Sequence, residues 1–336
     1  MIVGGDLFGG GTIFSGQLVL GSFDGRIALS NDGQTWSVSQ TSLTDPIYSV
    51  ATNGIILLAS DVYGNVSLTT DGASWTTVDT PWVPNAYAET GYVVYNQNLK
   101  LFASNTYLDG GMYISSDGVN WTNVGDGIVA PYRVTNAAGD YIFISPTATN
   151  QGSDYCQVYS PSTGWTTFSN GNYSGGYASV AYNPNNGVYV ILGQYSAGDG
   201  DLGTLAYCST DTISWTPIDI LYDWAGWGIV GSSLGVYWYV SQHSLRYGGP
   251  AGNKQFILAA GGIQLSNDGI NWSTPSQQPQ ITGNDSVGVS VAGYITGRSA
   301  WNANPVTTYN FSSDGHSWTT LAGPFGSTKI SMVDGL

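Results

Sequence analysis

A seven-residue pattern, Ser-x-Asp-Gly-x-x-Trp, returns along the whole chain and limits its fold more than any other feature. It reads Ser30-Asn31-Asp32-Gly33-Gln34-Thr35-Trp36, then Thr69-Thr70-Asp71-Gly72-Ala73-Ser74-Trp75, then Ser115-Ser116-Asp117-Gly118-Val119-Asn120-Trp121. Two more copies run from Ser266 through Asp268 to Trp272 and from Ser312 through Asp314 to Trp318. Two are decayed: Ser209-Thr210-Asp211-Thr212-Ile213-Ser214-Trp215 lacks the glycine, and Ser160-Pro161-Ser162-Thr163-Gly164-Trp165 lacks the aspartate and one residue. The repeats end near Trp36, Trp75, Trp121, Trp165, Trp215, Trp272 and Trp318, spaced 39 to 57 residues apart. Seven units of that length account for residues 1–336 as one domain and leave no room for a second.

Each unit follows one plan. A short strand ends in a turn, as Tyr48-Ser49-Val50-Ala51 before Asn53-Gly54. A strongly apolar strand follows, as in Ile55 to Ser60, Leu99 to Ser104, Tyr189 to Gly193 and Tyr237 to Ser241. A third strand, Gly64 to Thr69, runs into the pattern, and a fourth, Trp75 to Val78, leaves it. About four antiparallel strands per unit of this length predict an all-β, seven-bladed β-propeller. Composition agrees, because 47 glycines, a single glutamate and three lysines leave little to build helices from.

The pattern has a local logic as the hairpin between the third and fourth strands. The Asp carboxylate accepts turn N–H groups, the Gly takes positive φ, and the Trp packs between neighbouring sheets. Asp32, Asp71, Asp117, Asp211, Asp268 and Asp314 are therefore expected to staple the fold rather than act as catalytic acids. Two segments compete for the innermost place in the first blade. One is Gly11-Thr12-Ile13-Phe14. The other is the tail Ile330 to Gly335, which mimics the start of the second blade and would lie beside Gln17-Leu18-Val19-Leu20. Pairing the termini would remove open sheet edges, so both ends are expected to be ordered.

The repeats resemble the Asp-box, or bacterial neuraminidase repeat, of β-propellers, with Asp and Gly adjacent so that each box is one residue short of the family pattern Ser-x-Asp-x-Gly-x-Thr-Trp. The resemblance covers the full length and implies a propeller, not an activity. A sialidase would further require three carboxylate-binding arginines, an Asp acid/base and a Glu-activated Tyr. This chain has only Arg26, Arg133, Arg246 and Arg298, and Glu89 is its one glutamate, too early in the chain for that role.

Other chemistry finds little support. Asp126, Asp140, Asp154, Asp199, Asp201, Asp223 and Asp285 read as solvated loop carboxylates. The run Gly198-Asp199-Gly200-Asp201 offers too few oxygens for Ca²⁺. His243 and His316 lie far apart and build no triad. Cys156 and Cys208 read as two buried free thiols, too few for a disulfide framework or a structural zinc site. No catalytic residue, metal or cofactor is expected. A net charge of −15 repels nucleic-acid backbones, no run of 18 apolar residues exists to span a membrane, and the start does not resemble a secretory signal.

Aromatic residues and one arginine between the boxes are the binding candidates: Trp82, Tyr87, Tyr132, Arg133, Tyr173, Tyr177, Trp224 and Trp227, all read as lying in segments that link one blade to the next. In a propeller such linkers gather on one face, and rings flanked by polar groups suit sugars or a protein interface. Trp238 reads as core. The composition resembles that of bacteriophage virion proteins: acidic, poor in Lys and Glu, rich in Gly, Ser, Thr, Asn and Tyr. The leading expectation is a non-enzymatic virion protein, tail-associated, that docks to other virion proteins and to host surface polysaccharide. A bacterial carbohydrate-binding propeller lectin is the alternative, and a glycan hydrolase the third reading.

Overall fold

The protein's structure is a computed structural model that describes residues 14–82, 92–105, 111–125, 132–146, 155–169, 177–196, 202–218, 244–259, 262–279, 285–298 and 306–335. Every regular element among them is a β-strand, and the strands form seven antiparallel meanders. The second blade shows the pattern: β4 (Ile47–Thr52), β5 (Leu57–Asp61), β6 (Val66–Thr69) and β7 (Thr76–Val78), from the axis outward.

The first blade is assembled from both ends of the described chain. Its outer strands are β1 (Leu18–Ser22), β2 (Arg26–Ser30) and β3 (Ser37–Gln40), and its innermost strand is β27 (Ile330–Gly335). The two meet antiparallel with Leu18 opposite Gly335 and Leu20 opposite Val333. Of the two segments competing for this place, the tail holds it; Gly11, Thr12 and Ile13 lie outside the described residues. Phe14 instead packs into the core between the first two blades.

The remaining inner strands are β8 (Val93–Asn96), β12 (Tyr132–Ala138), β16 (Tyr177–Asn183), β20 (Leu245–Gly248) and β23 (Asp285–Ser290). Neighbours touch all the way round, β27 to β4, through β8, β12, β16 and β20 to β23, and back to β27. Hydroxyls tie several of these strands together. Ser331 Oγ donates to the Ile47 carbonyl at 2.8 Å, Val93 N–H donates to Ser49 Oγ at 2.8 Å, and Leu245 N–H donates to Ser179 Oγ at 3.2 Å.

Stacked blades bury both sheet faces, so the middle strands read as continuous apolar runs rather than alternating ones. In β1, Leu18 and Leu20 enter the core shared with the seventh blade, while Val19 enters the core shared with the second. There are seven such cores, one per blade junction, and each takes one of the seven repeat tryptophans. Trp36 meets Tyr309 of the seventh blade edge-on at 5.4 Å, its Nε1–H donating to the phenol oxygen at 2.9 Å.

Three details depart from the sequence reading. Ile55 belongs to a turn rather than a strand, because Asn53 Oδ1 captures the N–H groups of Ile55 and Ile56 at 3.0 and 2.9 Å. In the sixth blade the apolar second strand is β21 (Gln255–Ala259), not Tyr237 to Ser241, which lies outside the described residues. That blade has three strands, the third being β22 (Ile263–Ser266); its fourth shrinks to one bridge, Leu265 to Ser273, two residues before Pro275, which has no N–H to extend a ladder.

Candidate functional site

The repeated turns come first, since they place the most carboxylates. In six of them one cage recurs. The Ser or Thr hydroxyl donates to Asp Oδ1 at 2.9–3.1 Å. The N–H after the Asp donates back to that hydroxyl at 2.8–2.9 Å. The next two N–H groups converge on the same Oδ1 at 2.7–2.9 Å. Neighbours also bond the second oxygen: Thr35 Oγ1 donates to Asp32, and the amides of Asn120 and Asn271 donate to Asp117 and Asp268 at 2.7 Å. In the decayed fourth turn Ser162 stands where the Asp would be and pairs with Ser160 at 3.0 Å.

These bonds favour the charged form. The Thr35 hydroxyl, the Ser74 N–H and the Asn120 amide lead in holding Asp32, Asp71 and Asp117 well below the usual carboxylate range. The N–H groups of Ser214 and Ile213 bring Asp211 to about 2. For Asp268 burial opposes ionisation, but bonds from Asn271 and Ile270 outweigh it and bring the group to about 2. Asp314 is lowered in the same manner, the Ser317 and His316 N–H groups outweighing burial. A carboxylate so fixed is a poor proton donor at neutral pH.

The second concentration of charge sits on the axis. Arg246 on β20 reaches Asp334 on β27 bidentately, Nε to Oδ1 at 3.2 Å and Nη2 to Oδ2 at 3.1 Å. Both side chains are largely buried, at 14% and 9% exposure. Arg246 also hydrogen-bonds Tyr92, which directly precedes β8. Three of the seven blades therefore meet here, the sixth, first and third, and the Arg246–Tyr92 bond crosses the channel. Tyr48 joins at the rim of the cluster, its ring edge-on to Tyr92 at 6.0 Å. It occupies the β4 bulge between Ile47 and Ser49, where an extra residue turns its side chain out of the ladder's alternation. Burial weakens the charge on Arg246, yet Asp334 and Tyr92 more than restore it and keep the guanidinium protonated. Burial pushes the Tyr92 phenol far above its ordinary value. At neutral pH the cluster is a paired cation and anion with a protonated phenol, suited to bracing the ring.

Among the described residues, the binding candidates are Trp82, Tyr132, Arg133 and Tyr177. Trp82 is 2% exposed; its Nε1–H donates to the Gly64 carbonyl at 2.9 Å and its ring packs on Tyr113 and Trp121. It fills the core between the second and third blades, which corrects its reading as a binding aromatic. Tyr132, Arg133 and Tyr177 are not linker residues: they begin the inner strands β12 and β16. Asp285 likewise begins β23 rather than lying in a loop. Tyr87, Tyr173, Trp224 and Trp227 lie outside the described residues, as do Trp238, Asp199 and Asp201. Cys208 is a free thiol, half-buried rather than fully buried, with burial raising its pKa. Sequence reasoning missed the axial residues, although each arginine in a chain with only four was a usable signal. Among the described residues no group of three or more His, Cys, Asp or Glu is placed to hold a metal ion, and no helix is long and apolar enough to cross a membrane.

No protein-family model matches the chain, and no curated protein matches it. Solved structures do. The GH74 enzyme of Niastella koreensis aligns with 90% of this chain at 13% identity and a TM-score of 0.50. This chain spans 63% of that enzyme's length. A catalytically inactive virginiamycin B lyase from Staphylococcus aureus, solved with quinupristin, aligns with 85% of this chain and 87% of its own at 9% identity and a TM-score of 0.55. Hydrazine synthase of Kuenenia stuttgartiensis aligns with 96% of this chain and 99% of its own at 10% identity and a TM-score of 0.50. At such identities the likeness is one of fold, and it agrees with the strand order: the chain is similar to these structures as a seven-bladed β-propeller.

Proposed function

We propose that this propeller is a non-enzymatic structural protein of a bacteriophage particle, tail-associated, which docks to other virion proteins and to host-surface glycan. One observation carries the reading. The charged groups that the fold brings together are used within the fold: six turn carboxylates sit in cages of their own N–H and hydroxyl groups, and the axial arginine is paired across the ring. The turns resemble Asp-boxes shortened by one residue and serve as staples. The composition, acidic and nearly free of thiols, supports an all-β protein made for a particle that leaves its host by lysis. The aromatic segments between blades are the proposed glycan contacts on this reading.

The test is location. The source lysate is banded on a density gradient, the chain is probed, and any particle peak is immunogold-labelled. Label on a defined part of the particle, the tail, is the expected result. Chain found only in the soluble fraction overturns the reading. Saturable sugar binding there would turn attention to a propeller lectin, and release of sugars from host polysaccharide to a hydrolase.

A further inference from the structure

Six large apolar side chains stand exposed among the described residues: Val38, Ile55, Val119, Ile213, Ile270 and Val291. Their places follow one rule. In a four-stranded meander the turn joining strands one and two and the turn joining strands three and four emerge at the same end of the sheet. Ile55 and Val291 are in first turns, of the second and seventh blades; Val119, Ile213 and Ile270 are in third turns, of the third, fifth and sixth. Only Val38 lies elsewhere, on the outermost strand β3.

Contacts between blades confirm that these ends align around the ring. Asn186 Nδ2, in a first turn, donates to the Asp268 carbonyl of the next blade's third turn at 3.2 Å, and Asn253 Nδ2 donates to the Asp314 carbonyl at 3.0 Å. A Cβ on Gly118 would touch Ile56 at 3.0 Å, and one on Gly16 would touch Val291 at 3.2 Å. Five exposed aliphatic residues thus share one face. Three of them occupy the same turn position, two residues after the caged Asp. Isolated exposed apolar residues are ordinary, but five on one face, three of them at one recurring turn position, are not scatter.

The charge on that face chooses the partner. Among the described residues its turns carry seven carboxylates, the six caged ones and Asp140, against Lys100 and Lys254. The cages keep the carboxylates ionised well into acid. A second copy of the chain, an anionic lipid surface or a nucleic acid would meet like charge. A protein surface with lysine and arginine around small apolar hollows would meet both the carboxylates and the aliphatic tips.

We infer that the face formed by the first and third turns, tipped by Ile55, Val119, Ile213, Ile270 and Val291, is a docking surface for a basic protein partner. The inference deepens the docking role proposed above and rests on it for the existence of a partner. It names the face opposite the interblade linkers as the protein-binding side, which leaves the linker face to other contacts.

The test uses the full chain in its native lysate, treated with a water-soluble carbodiimide that joins carboxylates directly to amines, with the links located by mass spectrometry. Partner lysines linked to Asp117, Asp211 and Asp268 are expected. Their yield should fall at least tenfold in Val119→Ser/Ile213→Ser/Ile270→Ser, a variant whose exposed changes leave the melting temperature at the parent value. Partner lysines on Asp24, Asp45 or Asp79 would overturn the inference, as would links between copies of the chain, unchanged yield in the variant, or no partner link. Banding position decides the particle reading, whereas the linked carboxylates decide this one, so either can fail alone.

Discussion

The guanidinium of Arg246 and the carboxylate of Asp334 are joined by two hydrogen bonds of 3.2 and 3.1 Å, although one whole blade stands between the strands that carry them. That intervening blade contributes Gly288, and a Cβ there would lie 2.3 Å from the Asp334 carbonyl carbon, so the strand bearing Asp334 needs the missing side chain. The pair thereby fastens the ring-closing strand β27 to the sixth blade.

Breaking the pair from one side strands a buried charge, which costs about 3–5 kcal/mol. Arg246→Met and Asp334→Leu should each destabilise the protein on that scale in chemical denaturation. The double variant should recover most of the loss, since two apolar side chains replace a pair whose desolvation cost is large. Equal loss in single and double variants would contradict this account.

Position 212 should respond to mutation in the opposite direction from its equivalents. Thr212 has φ of 60° where the other five complete turns use glycine with φ between 71° and 83°. A β-branched residue in that region is strained by about 1–2 kcal/mol. Thr212→Gly should raise stability by about 1 kcal/mol once the lost side-chain packing is subtracted. Gly33→Ala should lower it by more than that, because positive φ is joined by a Cβ only 2.4 Å from the Phe311 ring. Thermal melts of the two variants, moving in opposite directions, would bear this out.

Acid should loosen the ring through its turns. Asp32, Asp71, Asp117, Asp211, Asp268 and Asp314 all have lowered folded-state values, so their contribution is present above the unfolded carboxylate value near 4 and is lost as pH falls through the folded values, about 2 for Asp211 and Asp268. Asp61 opposes this slightly: burial raises its value, so its protonation favours the fold. Denaturant midpoints measured from pH 5 down to pH 2 should fall, and Asp211→Asn should flatten part of the slope. Asp71→Ala should lower the melting temperature through loss of its turn cage.

Deleting residues 330–336 should open the first blade. The deletion removes the partner of β1 along Leu18 to Ser22 and the fully buried Ile330 from the core it shares with Phe325 and Tyr309. Loss of a single cooperative melt, with aggregation through the uncovered β1 edge, is the expected outcome in calorimetry and gel filtration. An unchanged melt would show that β27 is dispensable.

What could be read from the sequence was local and repeated. The Ser-x-Asp turns, the seven tryptophans and the four-strand plan depend on residues within one repeat, so their spacing revealed them. The tail's likeness to an inner strand was visible too, though only the pairing of Leu18 with Gly335 decides between it and Gly11 to Phe14. The axial cluster was hidden because Tyr92, Arg246 and Asp334 are brought together by closure of the ring, not by any pattern along the chain. Trp82 was misjudged for a related reason: its partners, the Gly64 carbonyl and the Trp121 ring, belong to two different blades. Ile55 was placed in a strand because apolar character alone does not reveal an Asn53 side chain that bends the backbone out of the ladder.

The make-up of the first blade also has a consequence in time. Its second strand, Leu18 to Ser22, is made before every other described strand, while the strand that flanks it on the axis begins at residue 330. Until residue 330 has been made, β1 lacks its axial partner and the core between the first and seventh blades stays incomplete. Circularity is reached only when residues more than three hundred positions apart find each other. A product that stops short of residue 330 thus carries an unpaired β1 edge, a physical mark of its incompleteness.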